Sequence, residues 1–213
     1  AMAAPAPGPF CLTEVLDAFQ RCVTEQQEVL LEPYLCGWWG LIRFLQSLGA
    51  VFAFISKDAV AKVQLLEGHR RGPHGEHYES LQAMVRFELA AGPAELRRRS
   101  GSGCRTVLRL HRALLWLQLF LEGLRTAPRG SGTASICAES YNASLAAHHP
   151  WVVRKAAALA FCALPSRDAF LEVMNVGSPE QAVAMLGEAI PYIQSVYGIT
   201  QELFAQHRLL DLP

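Results

Sequence analysis

The stretch GCRTVLRLHRALLWLQLFLEGLR, residues 103–125, has the pattern of one long apolar helix interrupted by cations. At roughly 100° per residue, one narrow arc of that helix holds the side chains that we expect to face solvent: His111, Gln118, Glu122 and Arg125. Arg105, Arg109 and Arg112 lie elsewhere, on the side that also carries Trp116 and Phe120. The stretch therefore predicts a long helix with three permanent charges beside an apolar surface.

Two interpretations fit these arginines. They could form a second solvated face, with their stems along apolar surface and their heads in water. Alternatively, they form a cationic socket at the mouth of an apolar interior, where guanidinium groups bind an anion such as phosphate. We favour the socket, because the helix has so little polar surface.

The composition limits the classes of protein that the chain can belong to. Its 213 residues are 51% apolar, enough for a substantial core, and 19 basic side chains balance 19 acidic ones. No general nucleic-acid footprint is expected, so a cationic site must be local. Six scattered cysteines without metal-ligand spacing fit reduced thiols in a cytosolic protein. The chain contains no run of about 18 uncharged apolar residues, so no membrane span is predicted.

Helical periodicity dominates the chain, and convincing two-residue alternation is absent. About eight helices are predicted, with the first from Leu12 to Leu31 and the second starting at Pro33. A third has Ser56 as a possible cap and Gly68 as its end. We expect a disordered tail over residues 1–9 and a single all-α domain over residues 10–213.

Two further segments carry candidate binding residues. Asp58 and Lys62 stand one helical turn apart, which is also the ordinary arrangement of an exposed ion pair. Trp151, followed by Arg154 and Lys155, has the composition of a membrane-surface contact, although core packing of the tryptophan is an equal alternative. His149 precedes the proline that opens this helix, which fixes its ring near the helix entry.

Metal and catalytic sites are not expected. His69, His74 and His77 lie in or near a loop without a matching set of carboxylates or thiolates. No glycine-rich phosphate loop, G-x-S-x-G motif or family-specific cysteine and histidine spacing occurs. An enzyme is therefore poorly supported.

The order of these segments resembles the glycolipid transfer protein superfamily. Asp58 and Lys62 follow an aromatic-rich helix, the arginine-bearing helix comes next, and YNASLAAHHPWVVRKA, residues 141–156, follows it. The resemblance covers the chain from about Phe10 to Pro213. It implies an all-α, two-layer helical sandwich with an apolar pocket for ceramide chains and the head group at the surface. It also implies no cofactor and no bond-breaking.

The resemblance implies specific roles for several residues. Asp58 corresponds to the aspartate that binds the sphingoid amide, and His149 to the histidine that meets the acyl-amide oxygen. Arg109 occupies the position of the tryptophan on which glycolipid-binding members stack the first sugar. The asparagine that those members carry before the lysine is also missing here. Charge replaces both sugar-reading groups, and the implied phosphate cradle consists of Lys62, Arg105, Arg109 and Arg112, with Arg98 and Arg99 as outer contributors.

The expected function is non-enzymatic transfer of ceramide-1-phosphate and related phosphosphingolipids between membranes. We expect a cytoplasmic monomer that contacts membranes transiently through Trp151, Arg154 and Lys155. Two alternatives stay open: a glycosphingolipid carrier, and a helical adaptor whose arginines bind phosphorylated peptides. A helical phosphohydrolase would need metal-binding carboxylates near the arginines, where Asp58 stands alone.

Overall fold

The computed structural model describes residues 8–128 and 130–213. Within them the chain forms ten α-helices and no β-strand, so the predicted all-α class is confirmed with ten helices in place of about eight. Most of the predicted tail, residues 1–7, lies outside the described part. The helices are α1 (Leu12–Gln20), α2 (Leu31–Ser47), α3 (Ala53–Arg71), α4 (Leu81–Leu89), α5 (Pro93–Arg98), α6 (Gly103–Thr126), α7 (Thr133–Asn142), α8 (Trp151–Phe161), α9 (Arg167–Val173) and α10 (Pro179–Gln206).

Serine caps define where several helices begin. The hydroxyl groups of Ser80, Ser102, Ser166 and Ser178 each accept the backbone N–H three residues further on. At α10 the Gln181 side chain also accepts the Ser178 backbone N–H, which completes a reciprocal cap. These bonds satisfy backbone donors that a helix start leaves unpaired.

The first helix is shorter than predicted, because it ends at Gln20 and does not continue to Leu31. The following residues form a tight turn in which Gln27 has a positive φ of 61°. Val23 and Val29 pair there in an isolated antiparallel bridge, and the Glu28 N–H donates to the Thr24 hydroxyl. A turn with its own hydrogen bonds thus interrupts the apolar periodicity that predicted one helix.

The predicted cap and end of the third helix are also wrong. Helix α3 begins at Ala53, three residues before Ser56, whose hydroxyl donates to the Ala53 carbonyl. It passes through Gly68 and ends at Arg71. The break from α2 lies at Gly49, whose φ of 101° suits glycine.

The central helices enclose one apolar core. Neighbours pack in the cyclic order α1, α2, α3, α6, α10 and back to α1, forming the predicted helical sandwich. Phe44 of α2, Phe120 of α6 and Phe170 of α9 meet inside it, with ring centroids 5.4 to 6.1 Å apart. These contacts hold the apolar side of α6 against the core.

The expected solvated arc of α6 is partly wrong. His111 is only 1% exposed and Gln118 is also buried. Helix α10 covers this side: the Gln201 side chain lies 2.6 Å from His111 Nε2, and the Tyr197 ring stacks on the imidazole at 4.1 Å. Burial lowers the pKa of His111 to about 4, so the imidazole is neutral at physiological pH.

Close packing of α1 on α2 depends on two glycines. A Cβ on Gly37 would lie 2.6 Å from a ring carbon of Phe19, and one on Gly40 would lie 2.5 Å from a methyl of Val15. Phe19 and Val15 are completely buried, so neither can move aside freely. The two helices can approach this closely only because α2 has no side chains at these points.

We predict that Gly37→Ala lowers the free energy of unfolding by about 1–3 kcal/mol through overpacking. Gly68→Ala is the matched control, because a Cβ there meets nothing within 4 Å. That change should raise stability by about 0.4–1 kcal/mol, since alanine favours the helix. Thermal and urea unfolding of both variants would measure the effects. Two changes of the same sign would contradict this account of the packing.

Candidate functional site

Most of the predicted lipid-binding residues lie on two adjacent helices. Asp58 and Lys62 are on α3, Arg105, Arg109 and Arg112 are on α6, and these helices pack against each other. The start of α6 is held by the Glu88 carboxylate, which accepts the backbone N–H groups of residues 103 and 104 at 2.8 and 2.9 Å. A carboxylate at a helix N-terminus is favourable for both the hydrogen bonds and the helix dipole.

Asp58 and Lys62 form an ion pair with 2.5 Å between Oδ2 and Nζ. The Lys62 side chain is 15% exposed, whereas the Asp58 side chain is 69% exposed. The aspartate thus presents its carboxylate to solvent while the lysine lies against the protein. Asp58 Oδ1 has no hydrogen-bond donor among the described residues and can accept one from a ligand.

Arg112 is half-buried and is held by main-chain oxygens. Its Nη2 donates to the carbonyls of Leu210 and Leu212, at 2.9 and 3.3 Å. Burial lowers the pKa of Arg112, and the nearby charge of Arg109 lowers it further. Arg112 makes no ion pair within the described chain, so its positive charge remains available to an anion.

Arg105 is anchored in a similar way. Its Nε donates to the Pro213 carbonyl at 3.2 Å, and its Nη1 donates to the Arg97 carbonyl at 3.1 Å. Main-chain oxygens thus orient this guanidinium, and no Asp or Glu side chain among the described residues pairs with it.

Arg109 lies between the two anchored arginines on the same helix. It is exposed, and it makes no hydrogen bond or ion pair with any residue in the described ranges. All of its donors are therefore open to solvent or to a ligand. The arrangement places one unengaged guanidinium between two that are fixed.

The neighbouring arginines of α5 make their own pairs. Arg97 binds both oxygens of the Asp211 carboxylate at 3.0 and 3.1 Å. Arg98 pairs with Glu95 at 2.6 Å, and Arg99 is exposed just after the helix. Arg97, which the sequence interpretation omitted, thus helps to hold the C-terminal segment against the arginines of α6.

His149 follows a short 3-10 helix, Leu145–His148, that packs against α6. Its Nδ1 lies 2.6 Å from the Tyr141 hydroxyl oxygen. Burial lowers the pKa of both His148 and His149, and the charge of Arg112 lowers that of His148 further. The effect on His148 indicates that this histidine lies near Arg112.

Helix α8 exposes an apolar surface. Trp151 is 63% exposed and Leu159 is 76% exposed, and only Phe161 of this helix is buried. Lys155 Nζ lies 5.5 Å from the centre of the Trp151 ring, and Arg154 is also exposed. The tryptophan is therefore not part of the core. Exposed apolar side chains beside cations suit contact with a lipid surface.

The described residues give no sign of a metal centre or a membrane span. In residues 8–128 and 130–213, no three His, Cys, Asp or Glu side chains are grouped so that they could hold a metal ion. Every helix in these ranges is too short or too polar to cross a bilayer. All six cysteines are free thiols.

The sequence is similar to a known protein family and to several named proteins. Residues 29–176 match the family described as glycolipid transfer protein. The human ceramide-1-phosphate transfer protein is 62% identical over 207 residues, which is 96% of this chain and 97% of that protein. The zebrafish protein of the same name is 50% identical over 207 residues, covering 96% and 98%.

Solved structures of proteins in this family have the same fold as this chain. The human ceramide-1-phosphate transfer protein in complex with 12:0 ceramide-1-phosphate has a TM-score of 0.90 and 62% identity, covering 96% of this chain and 100% of that chain. The apo form of the mouse protein has a TM-score of 0.91 and 57% identity, with the same coverage. The chain belongs to the glycolipid transfer protein family.

Within this family fold, the sequence interpretation missed the partners that position the site. The Arg112 contacts with the C-terminal segment span 98 and 100 residues, and the contact between Arg97 and Asp211 spans 114. No local pattern reveals such pairs. The Tyr141 contact with His149 spans only eight residues, so a tyrosine at that spacing before the histidine pair was a usable signal.

We predict that Arg112→Leu destabilises the protein by about 1.5–3 kcal/mol, since two carbonyls lose a charged donor. Amide hydrogen exchange of residues 208–212 should accelerate in the same variant. Arg109→Leu is the matched control, with an expected change within about 0.5 kcal/mol because its side chain has no partner in the described chain. Equal exchange protection in both variants would contradict the anchoring role of Arg112.

Proposed function

We propose that this chain transfers ceramide-1-phosphate between membranes without breaking or forming a covalent bond. The observation that carries the proposal is the row of three guanidinium groups on α6, none of which forms an ion pair with an Asp or Glu side chain of residues 8–128 and 130–213. In a family of lipid transfer proteins, such a row suits a lipid whose head group is a phosphomonoester. Human and amphibian relatives carry the name ceramide-1-phosphate transfer protein.

The phosphate is bound by Lys62, Arg105, Arg109 and Arg112. Arg109 supplies a guanidinium with all donors free, and the remaining donors of the two anchored arginines complete the cradle. Planar guanidinium forks match phosphate oxygens bidentately, and each charge-assisted hydrogen bond is stronger than a neutral one. Arg109 also removes the aromatic platform that the resemblance assigns to sugar binding, which disfavours a glycosphingolipid cargo.

The ceramide amide is bound by one hydrogen-bond acceptor and one hydrogen-bond donor. Asp58, with its exposed carboxylate, accepts the amide N–H, and His149 donates to the amide oxygen. A hydrogen bond to a charged group contributes about 1.5–3 kcal/mol. This pair selects sphingolipids over lipids that have esters at the same position, because an ester offers no N–H.

The two hydrocarbon chains enter the apolar interior. A two-chain lipid carries roughly 30 methylenes, and exposing them to water at about 0.8 kcal/mol each would cost on the order of 20 kcal/mol. Spontaneous desorption is therefore slow, and a carrier that takes the chains directly from a bilayer avoids most of this cost. Transfer down a concentration gradient then needs no ATP and no cofactor.

The protein acts as one lipid-transfer domain over residues 10–213. It is a cytoplasmic monomer that touches membranes reversibly through Trp151, Arg154 and Lys155, and it binds no nucleic acid. Weak docking of this kind suits a neutral chain with a local patch of aromatic and basic side chains. Leu159 is a further exposed apolar side chain of the same helix.

We predict that Arg109→Leu or Arg105→Leu abolishes ceramide-1-phosphate transfer between vesicles while leaving the fold intact. Loss of one charge-assisted contact corresponds to about ten- to a hundredfold in affinity. Circular dichroism would check the fold. Arg86→Leu on α4 is the control for loss of an exposed charge, and its transfer rate should match the original protein. Normal transfer by both cradle variants would reject the assignment of the phosphate site.

We predict that Trp151→Ala slows transfer and weakens partition to both neutral and anionic vesicles. The melting temperature should change by no more than about 2 °C, because the ring is largely exposed. Arg154→Gln should weaken partition to anionic vesicles only, since it removes charge and leaves the apolar contact. Unaltered partition of the Trp151 variant to vesicles of both compositions would rule out docking through α8.

A further inference from the structure

The Tyr141 side chain joins α7 to the histidine that we assign to the lipid amide. Its hydroxyl oxygen lies 2.6 Å from His149 Nδ1. The tyrosine is 5% exposed, and its ring packs edge-on against Phe161 of α8 with centroids 5.5 Å apart. The phenol is therefore held in one place by packing, independently of the hydrogen bond.

The hydrogen bonds available to this pair determine where its protons lie. The phenol has one proton, and His149 Nδ1 is its only hydrogen-bond partner among the described residues. If Nδ1 carried a proton and donated it to the phenol oxygen, the buried O–H would have no acceptor there. Leaving a buried donor unpaired costs free energy. The favoured arrangement is O–H donating to an unprotonated Nδ1.

The protonation states of both groups agree with this arrangement. Burial raises the pKa of the Tyr141 phenol, so it keeps its proton at neutral pH. Burial lowers the pKa of His149, so the imidazole is neutral. A neutral imidazole with an accepting Nδ1 carries its single proton on Nε2.

We infer that Tyr141 is a positioning residue that holds His149 in the tautomer protonated on Nε2. The inference rests on the proposed function, in which His149 meets the acyl-amide oxygen of the lipid. A carbonyl oxygen accepts hydrogen bonds and cannot donate them, so only the Nε2–H tautomer recognises it through that nitrogen. Tyr141 therefore sets the binding competence of His149 without touching the lipid itself.

The tautomer is measured directly on the lipid-free protein. Long-range proton–nitrogen correlation spectra of a sample labelled with ¹⁵N at its seven histidines report which ring nitrogen is protonated. His149→Gln identifies the signals of His149. We expect the Nε2–H pattern in the original chain and a mixture of both tautomers in Tyr141→Phe. An Nδ1–H pattern in the original chain, or an unaltered pattern in the phenylalanine variant, would overturn the inference.

A transfer assay then tests the consequence for binding. Tyr141→Phe should bind and transfer ceramide-1-phosphate about three- to tenfold less well, with the melting temperature nearly unchanged. In a His149→Ala background the same substitution should have no further effect, because the two side chains act through one hydrogen bond. An equal loss in both backgrounds would reassign Tyr141 to a packing role and overturn the inference.

The two measurements separate this inference from the proposed function. If the original chain fails to move ceramide-1-phosphate between vesicles, the proposed function fails, while the nitrogen spectra still decide the tautomer. If the original chain transfers the lipid and Tyr141→Phe transfers it equally well, the proposed function stands and the positioning role of Tyr141 is rejected.

Discussion

The charge of Arg112 is kept in a half-buried position by main-chain carbonyl oxygens, and the rest of the site depends on this arrangement. A carboxylate partner would have stabilised the same guanidinium but neutralised it. The carbonyls of Leu210 and Leu212 instead satisfy its donors and leave the charge intact. Arg105 is also held by main-chain oxygens, those of Arg97 and Pro213. Main-chain oxygens of the C-terminal segment therefore orient these two cations, while the Asp211 carboxylate of the same segment forms its ion pair with Arg97.

Helix α6 can present this row of cations because its other sides are firmly packed. The Glu88 carboxylate fixes its first turn, Phe120 packs into the aromatic core, and α10 covers His111. The arginines consequently keep their spacing along a rigid element, as a preorganised anion site requires. His149 belongs to a separate segment, and the Tyr141 hydroxyl oxygen lies 2.6 Å from its Nδ1.

The sequence predicts the helical class, the long helix and its arginines, because apolar periodicity and fixed charge are local properties. Prediction from the sequence fails where a local turn ends a helix or where a contact with a distant residue buries a side chain. The bonds of the Thr24–Glu28 turn end the first helix early. His111 looks solvated on a helical wheel but is buried by α10, which lies some 90 residues further along. The contact between Arg97 and Asp211 is equally invisible, since no spacing rule links residues so far apart.

The central claim is that the cations of α6 recognise a phosphomonoester. Its most direct test compares the affinity of the protein for ceramide-1-phosphate and for sphingomyelin with identical chains, at constant salt, by titration from vesicles. Sphingomyelin has the same ceramide and phosphate, but choline is esterified to one phosphate oxygen, and its quaternary ammonium group balances the remaining negative charge. The account predicts binding of ceramide-1-phosphate that is about ten- to a hundredfold tighter, as expected from loss of one charged contact. Equal affinity for the two lipids would contradict it.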